Sequence, residues 1–253
     1  SADPHDKRLR ASAMLDIKGK KIMIRPAPDF RYQMLPRQVR AMRAILLTHG
    51  HKDHIGGLDD VRAFNWVKQG AVDVYGNEGT REVVYKDFSY AFAAFRYPGA
   101  ECPSMLPIML IYWISLLKLL PVPKSPSSFM RSAASPAVCS LPSDLPVLGF
   151  RIGNFAYITD AKTIPASSME RLKGVEYLVI NALRKELHMS HFNLEEALTM
   201  IARIQPKSAF LTHIGHQMGL SAEVSKELPV QVKLAYDTLE IEIPDREIFE
   251  NRS

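Results

Sequence analysis

The chain has 253 residues, 47% of them hydrophobic and 23% charged, with a net charge of +5. Those values exclude a disordered tail, and a chain this long can bury a substantial core within one α/β domain. Two cysteines far apart, Cys102 and Cys139, exclude a disulfide framework and a Cys-type zinc site, and point to a reducing, cytoplasmic compartment.

The chain opens without an initiator Met on Ser1-Ala2-Asp3-Pro4-His5-Asp6-Lys7, which is charged and has no apolar core, so no signal peptide is expected. Eleven basic residues from Lys7 to Arg43 crowd the first fifty positions. They describe either a solvated face or a positive field that steers a phosphate-bearing substrate. Ala13 to Ile17 and Lys21 to Ile24 flank Lys18-Gly19-Lys20 as a hairpin. Arg37 to Met42 is expected to be a short helical or turn segment. The apolar run Ala44-Ile45-Leu46-Leu47 then reads as a buried strand ending at Thr48.

The next six residues, His49-Gly50-His51-Lys52-Asp53-His54, hold three of the eight histidines and a carboxylate. Imidazole nitrogen and carboxylate oxygen suit Zn, Mn or Fe. His49 and His51 alternate, so they point to one side of an extended segment, and Asp53 and His54 follow on a turn. Ligands at the carboxyl end of a buried strand are where an α/β protein places its chemistry. A histidine-rich surface loop is the alternative, and the mixture of ligand types at this spacing argues against it. Gly56 and Gly57 are read as a tight turn into a helix over Asp59 to Gln69, ended by Gly70.

Ala71 to Tyr75 is a further strand, and Glu78 to Phe95 is largely helical. From Ala100 to Asp144 both periodicities vanish. Met105 to Leu120 is apolar but too short and broken by Pro107 and Lys118 to span a membrane, which takes about 20 apolar residues, and Pro121 to Ser128 reads as linker. Order returns with a hairpin, Pro146 to Ile152 and Phe155 to Thr159, around Gly153-Asn154. Tyr177 to Asn181 is a buried strand, and Leu194 to Ile204 an amphipathic helix with Asn193 as N-cap. Ser208 to Thr212 is the last expected strand, with His213 at its end. Asp160 likewise ends a strand, and His188 and His191 lie just before the Leu194 helix. With the first motif, these strand ends supply what a dinuclear hydrolase needs.

Thr48 to Asp60, Thr159-Asp160-Ala161-Lys162 and Leu211-Thr212-His213 resemble the metallo-β-lactamase superfamily. Ser190 to Leu198, followed by Phe210 to Ile214, is similar to its phosphodiesterase branch: phosphoribosyl cyclic phosphate phosphodiesterases and, more distantly, transfer-RNA 3′-processing endonucleases. The likeness covers roughly residues 1–98 and 145–243. It implies a single metallo-hydrolase domain over 1–253, an α/β chain folded as an αββα sandwich, with residues 100–144 as an atypical segment within it. By the same resemblance His49 and His51 hold one metal, Asp53, His54 and His213 a second, and Asp160 bridges them. The metals would be Zn or Mn, or Fe, holding a hydroxide that attacks phosphorus. The catalytic residues would be His191 and Asp53. His191 would stabilise the phosphoryl oxygens or protonate the leaving group, and Asp53 counts among the ligands as well.

Two departures stand against this. The family's further His falls at Leu141-Pro142-Ser143-Asp144, and no His occurs from 55 to 187. Arg25-Pro26-Ala27 stands where the family has an Asp and a Gly, and the family's initial strand is not matched. Residues 100–144, and with them 25–27, read either as translated in shifted frames or as a genuine insertion. A phosphodiesterase acting on a small cyclic phosphate or nucleotide-like substrate is the expected function. The alternative is a homologue that binds metal or ligand without turnover, favoured by the missing His. The expected partner is a small phosphate ester, with a homodimer as the one macromolecular association and neither nucleic acid nor membrane. His188 and His216 are weaker candidates for substrate contacts.

Overall fold

Two mixed sheets carry the chain, each in its own compact unit: Leu9–Tyr112, and Trp113–Ser253 together with Ser1–Arg8. The computed structural model describes residues 1–92, 108–110, 135–140 and 145–244.

The first unit holds a five-stranded sheet in the order β1-β2-β3-β4-β5. β1 (Ala13–Ile17) and β2 (Lys20–Ile24) form the expected antiparallel hairpin. Its two-residue turn has positive φ at both Lys18 and Gly19, the backbone whose twist matches the flanking strands. Asp16 sits opposite Lys21 and accepts from its ammonium at 2.8 Å, which holds the carboxyl below its usual range. β3 (Ala44–Leu46), β4 (Asp73–Gly76) and β5 (Ile108–Leu110) follow in parallel. β3 and β4 are buried along their whole length, as a parallel sheet covered on both faces requires. Met23, Ile45, Leu47, Ile55, Val61 and Val74 centre the apolar cluster of this unit.

A short helical or turn segment was expected over Arg37 to Met42; the helix lies earlier, as α1 (Phe30–Met34), and a turn carries the chain through residues 35–38. Phe30 and Met34, one turn apart, bury its apolar edge, and Leu35, still at helical φ and ψ, closes it just before Pro36. α2 (Lys52–Ile55) was not expected at all. It is followed by a 3-10 stretch, Gly56–Val61, and then α3 (Arg62–Lys68), so the long helix read over Asp59 to Gln69 begins later. Gln69, at φ +53, closes α3 one residue before Gly70. α4 (Glu78–Asp87) is capped by Asn77, and the helix expected to reach Phe95 passes into a 3-10 turn over Ser89–Phe92, beyond which it lies outside the described residues.

The second unit holds a six-stranded sheet in the order β11-β10-β9-β8-β7-β6. β7 (Pro146–Ile152) and β8 (Phe155–Ile158) form the hairpin around Gly153-Asn154; β9 (Tyr177–Asn181), β10 (Ser208–Thr212) and β11 (Val232–Leu234) add in parallel. β6 (Ser135–Ser140) pairs antiparallel with β7 over six residues, inside the stretch that showed no periodicity. The expected apolar segment and linker, Met105 to Ser128, lie outside the described residues apart from β5.

α5 (Ala166–Leu172), α6 (Leu194–Ile204) and α7 (Ser221–Glu227) complete the unit; α5, α7 and β11 are too short to show a period in sequence. α6 turns Leu194, Ala197, Ile201 and Ile204 inward. Its capping box is reciprocal: Glu196 N–H donates to Asn193 Oδ1 at 2.9 Å and Asn193 N–H to Glu196 Oε2 at 3.0 Å. Asn193 Nδ2 also donates to Lys185 O at 3.0 Å. Asn193→Ala is expected to cost about 1–2 kcal/mol, at the upper end for a lost N-cap, as a fall in denaturation midpoint with unchanged slope.

The N-terminal segment straps onto the same unit. Arg8 donates to Ala235 O at 2.8 Å and to Ser221 Oγ at 2.7 Å, while Ser221 N–H, at the start of α7, donates to Asp6 Oδ1 at 2.8 Å. Hydrogen bonds from Ser1 and Ser221 bring the Asp6 carboxyl down to about 2. Among the described residues, no helix is long and apolar enough to cross a membrane.

Candidate metal centre

Each unit carries one cluster of ligand-type side chains at the carboxyl ends of its parallel strands. In the first, β3 runs out into Thr48 and His49, both fully buried, and the chain turns at His51 into α2. Asp53 and His54 therefore stand on a helix and not on a turn. Thr48 Oγ1 lies 2.9 Å from His54 Nδ1 and 3.2 Å from His49 Nδ1, and His49 Nε2 lies 2.9 Å from His51 Nδ1. The His49 ring centre is 3.9 Å from that of His54 and 4.5 Å from that of His51. The His49 ring thus lies against both of the other imidazoles, and a neutral imidazole offers a lone pair to a borderline cation.

The fourth member differs. Asp53 accepts from Arg25 Nη2 at 2.8 Å, and its Oδ2 lies 3.2 Å from His54 Nε2. Arg25 is the first residue after β2, 1% exposed, and at φ +62. Its backbone N–H donates to Leu46 O at 3.0 Å, continuing the β2–β3 ladder to the edge of the cluster. Gly57 explains how it is held. A Cβ there would stand 2.3 Å from Ala27 O and 2.5 Å from Phe30 Cβ, and Gly57 N–H donates to Pro26 O at 3.0 Å. Gly57 thus serves close backbone approach and Gly56 makes room for the Pro28 ring; neither residue has positive φ.

In the second unit Thr159 and Asp160 follow β8, and His213 follows β10. Asp160 is 2% exposed, and both its oxygens are engaged. Thr159 Oγ1 donates to Oδ2 at 2.5 Å, His213 Nδ1 stands 3.3 Å from the same oxygen, and His191 Nε2 lies 2.9 Å from Oδ1. The His191 and His213 rings stack with centres 4.9 Å apart. Asp160 and His213 both have positive φ, +54 and +55. Non-glycine residues held there cost of order 1–3 kcal/mol each, and such strain gathers at functional sites.

Hydrogen bonds to Ala161 secure the turn at Asp160. Ala161 N–H donates to Asn181 Oδ1 at 2.9 Å, Asn181 Nδ2 to Ala161 O at 3.0 Å, and Phe192 N–H to the same carbonyl at 2.9 Å. Lys162 bonds both oxygens of Glu196 at the start of α6. His191 is oriented from behind by Ser190 Oγ, 2.8 Å from Nδ1. His188 contacts Ser190 and His191; burial, then the charges of His191, Arg184 and Lys162, push its imidazole below its usual range and keep it neutral at pH 7. His216 is exposed at the start of a 3-10 turn.

The donor set thus fits a divalent metal in both clusters: the buried imidazoles of His49 and His54 beside the exposed His51 in one, a buried carboxylate flanked by imidazoles in the other. At Asp53 the fit is qualified by the guanidinium already there. Sequence reasoning named Arg25 only as a departure and missed the hydroxyls of Thr48, Thr159 and Ser190. Their signal was present, since a Thr directly precedes each strand-end ligand at 48–49, 159–160 and 212–213.

Known proteins are similar to this chain. A PhnP-family diphosphatase of known crystal structure superposes with a TM-score of 0.81 at 32% identity, covering 96% of this chain and 88% of that one. Human tRNase Z, short form, aligns at 0.66 and 19% over 96% of both chains, and Zn(2+)-bound PqqB from Methylobacterium extorquens at 0.65 and 18% over 92% and 86%; these two share the fold. An octanoyltransferase of Porphyromonas gingivalis (strain ATCC BAA-308 / W83) is 36% identical over 251 residues, 98% of this chain and 48% of that protein, so the chain spans about half of its length. The family model described as the beta-lactamase superfamily domain matches residues 20–214, a range that contains His49, His51, Asp53, His54, Asp160, His191 and His213, and the chain belongs to that superfamily, with the metallo-β-lactamase fold.

Proposed function

We propose that this protein is a metal-dependent phosphodiesterase acting on a small cyclic phosphate or nucleotide-like ester. The observation that carries the reading is the pair of strand-end clusters, three facing imidazoles in one unit and a doubly flanked, strained carboxylate in the other. The 32% identity to a diphosphatase of the PhnP family supports a phosphorus-centred reaction. In this reading His49 and His51 would hold one ion, Asp53, His54 and His213 the other, and Asp160 would contribute to both; Zn, Mn and Fe all suit such donors. Two divalent ions supply a Lewis acid for the phosphoryl oxygen and a water made acidic enough to attack near neutral pH.

The chain's own residues do the remainder. His191, fixed by Ser190 on one ring nitrogen and Asp160 on the other, presents an imidazole able to bind phosphoryl oxygens or pass a proton to the leaving oxygen. Thr48 and Thr159 hold His54 and Asp160 in place, the outer support that ligands of this kind depend on. The basic residues before Arg43 favour arrival of an anionic ester.

A second reading, transfer or hydrolysis of an octanoyl ester, is favoured by the relative of that name, though its activity belongs to a protein about twice as long. One experiment separates the two. Protein supplied with Zn2+ or Mn2+ is assayed against a bis-aryl phosphodiester and, in parallel, an octanoyl thioester. Phosphodiester hydrolysis lost on His49→Ala is the expected result. Preferential thioester cleavage moves the assignment to acyl chemistry, and no cleavage of either by metal-loaded protein favours a homologue that binds without turnover.

A further inference from the structure

Arg25 is among the largest fully buried side chains of the protein, and its Nη2 donates to a carboxylate that the proposed function gives to a metal ion. The Asp53 carboxylate is itself 38% exposed, so the buried partner of this pair is the cation. The guanidinium is not a surface arm that drifts onto Asp53. Arg25 leaves β2 with its N–H on Leu46 O, and the next two residues are clamped by Gly57, whose missing Cβ admits the carbonyl of Ala27. Gly57 lies two residues beyond the end of α2, the helix that bears Asp53. The same contact therefore sets donor and acceptor against each other. A guanidinium is charged at every accessible pH, so the pair does not dissolve by deprotonation.

Resting on the metal-hydrolase reading, we propose that Arg25 is a built-in competitor for the metal position at Asp53. An ion that takes Asp53 as a ligand has to displace the guanidinium from the carboxylate or share the oxygen with it, and either route weakens its binding. Occupancy of that position then follows the free metal concentration and is not permanent, while the ion held by His49 and His51 does not meet the competitor.

The test is a Zn2+ titration of chelator-stripped protein, followed by calorimetry and by metal per chain from elemental mass spectrometry. Asp53→Asn identifies the step that uses Asp53, as the one it removes. Arg25→Met keeps the apolar stem and removes the charge; a hydrogen bond between charged groups is strong enough that this step should tighten roughly 10- to 100-fold, the other step staying put. Arg25→Lys, which keeps a cation, should tighten it far less. An unchanged or weakened Asp53 step in Arg25→Met overturns the proposal and makes Arg25 a positioning residue for Asp53. Should Arg25→Met fail to fold, Asp53→Asn decides alone: loss of the weaker of two steps supports competition, and loss of the tighter step overturns it. Zn2+ bound by neither the parent nor any variant overturns the metal-hydrolase reading as well.

Discussion

Asp160→Asn is expected to reduce phosphodiester hydrolysis by roughly 10³-fold or more, about 4 kcal/mol of transition-state stabilisation, and to lower the metal retained per chain. The substitution isolates charge from fold. Asn occupies left-handed backbone at least as readily as Asp, so φ +54 at this position remains accessible. The side chain keeps its shape and one acceptor oxygen, so Thr159 can still donate to it. What disappears is the buried negative charge between His191 and His213. Loss of a residue that merely supports a ligand costs roughly 10–100-fold in metal affinity or activity, and loss of a shared ligand should exceed that. Circular dichroism and melting temperature close to the parent, with metal content and rate both reduced, are the expected result. A rate within tenfold of the parent would remove Asp160 from the reaction.

Gly57→Ala is expected to be the most damaging small substitution in the first unit. The added Cβ would stand 2.3 Å from Ala27 O, 2.5 Å from Phe30 Cβ and 3.1 Å from Pro26 O. Two of these are backbone atoms with no rotamer to escape into, and Phe30 is wedged against Phe64 at 5.9 Å between ring centres. Forcing a methyl into packed surroundings costs about 1–3 kcal/mol, occasionally more. With backbone on two sides, a loss of about 3 kcal/mol or more is expected, which for a domain of this size lowers Tm by about 6–12 °C. Gly70→Ala is the control. Nothing lies within 4 Å of its Cβ and its φ is not positive, so it should be neutral or slightly stabilising. Equal effects of the two would mean that close approach at Gly57 is not what holds residues 25–30 against α2.

Much of the site was legible before any coordinates. His49, His51, Asp53 and His54 announce themselves because ligand chemistry is local: four donors in six residues have few other uses. β3, β9 and β10 were visible because strands of a parallel sheet are buried on both faces and read as unbroken apolar runs. α6 was visible because its cap and apolar face both follow the helical period. Asp160 and His213 were found as strand-end residues, and the family pattern then gave them a role.

Short elements were beyond reach for the converse reason. α1, α2, α5 and α7 run four to seven residues, too little for a period to stand out, and each persists through what it packs against. β6 falls in a stretch whose composition favours no structure, and its pairing with β7 comes from the neighbouring strand. Gly57 looked like a turn residue, because a sequence shows that a side chain is missing but not which atom takes its place.

By itself, the sequence determined the superfamily, the side chains of metal-ligand type and the strands that end in them, since periodicity, burial and donor chemistry are written residue by residue. Only the tertiary structure decided that Asp53 rides a helix, that Asp160 and His213 sit in left-handed backbone, and that Arg25 reaches Asp53 across 28 residues. Contacts between distant segments set all three, because a carboxylate takes whichever cation the fold delivers to it.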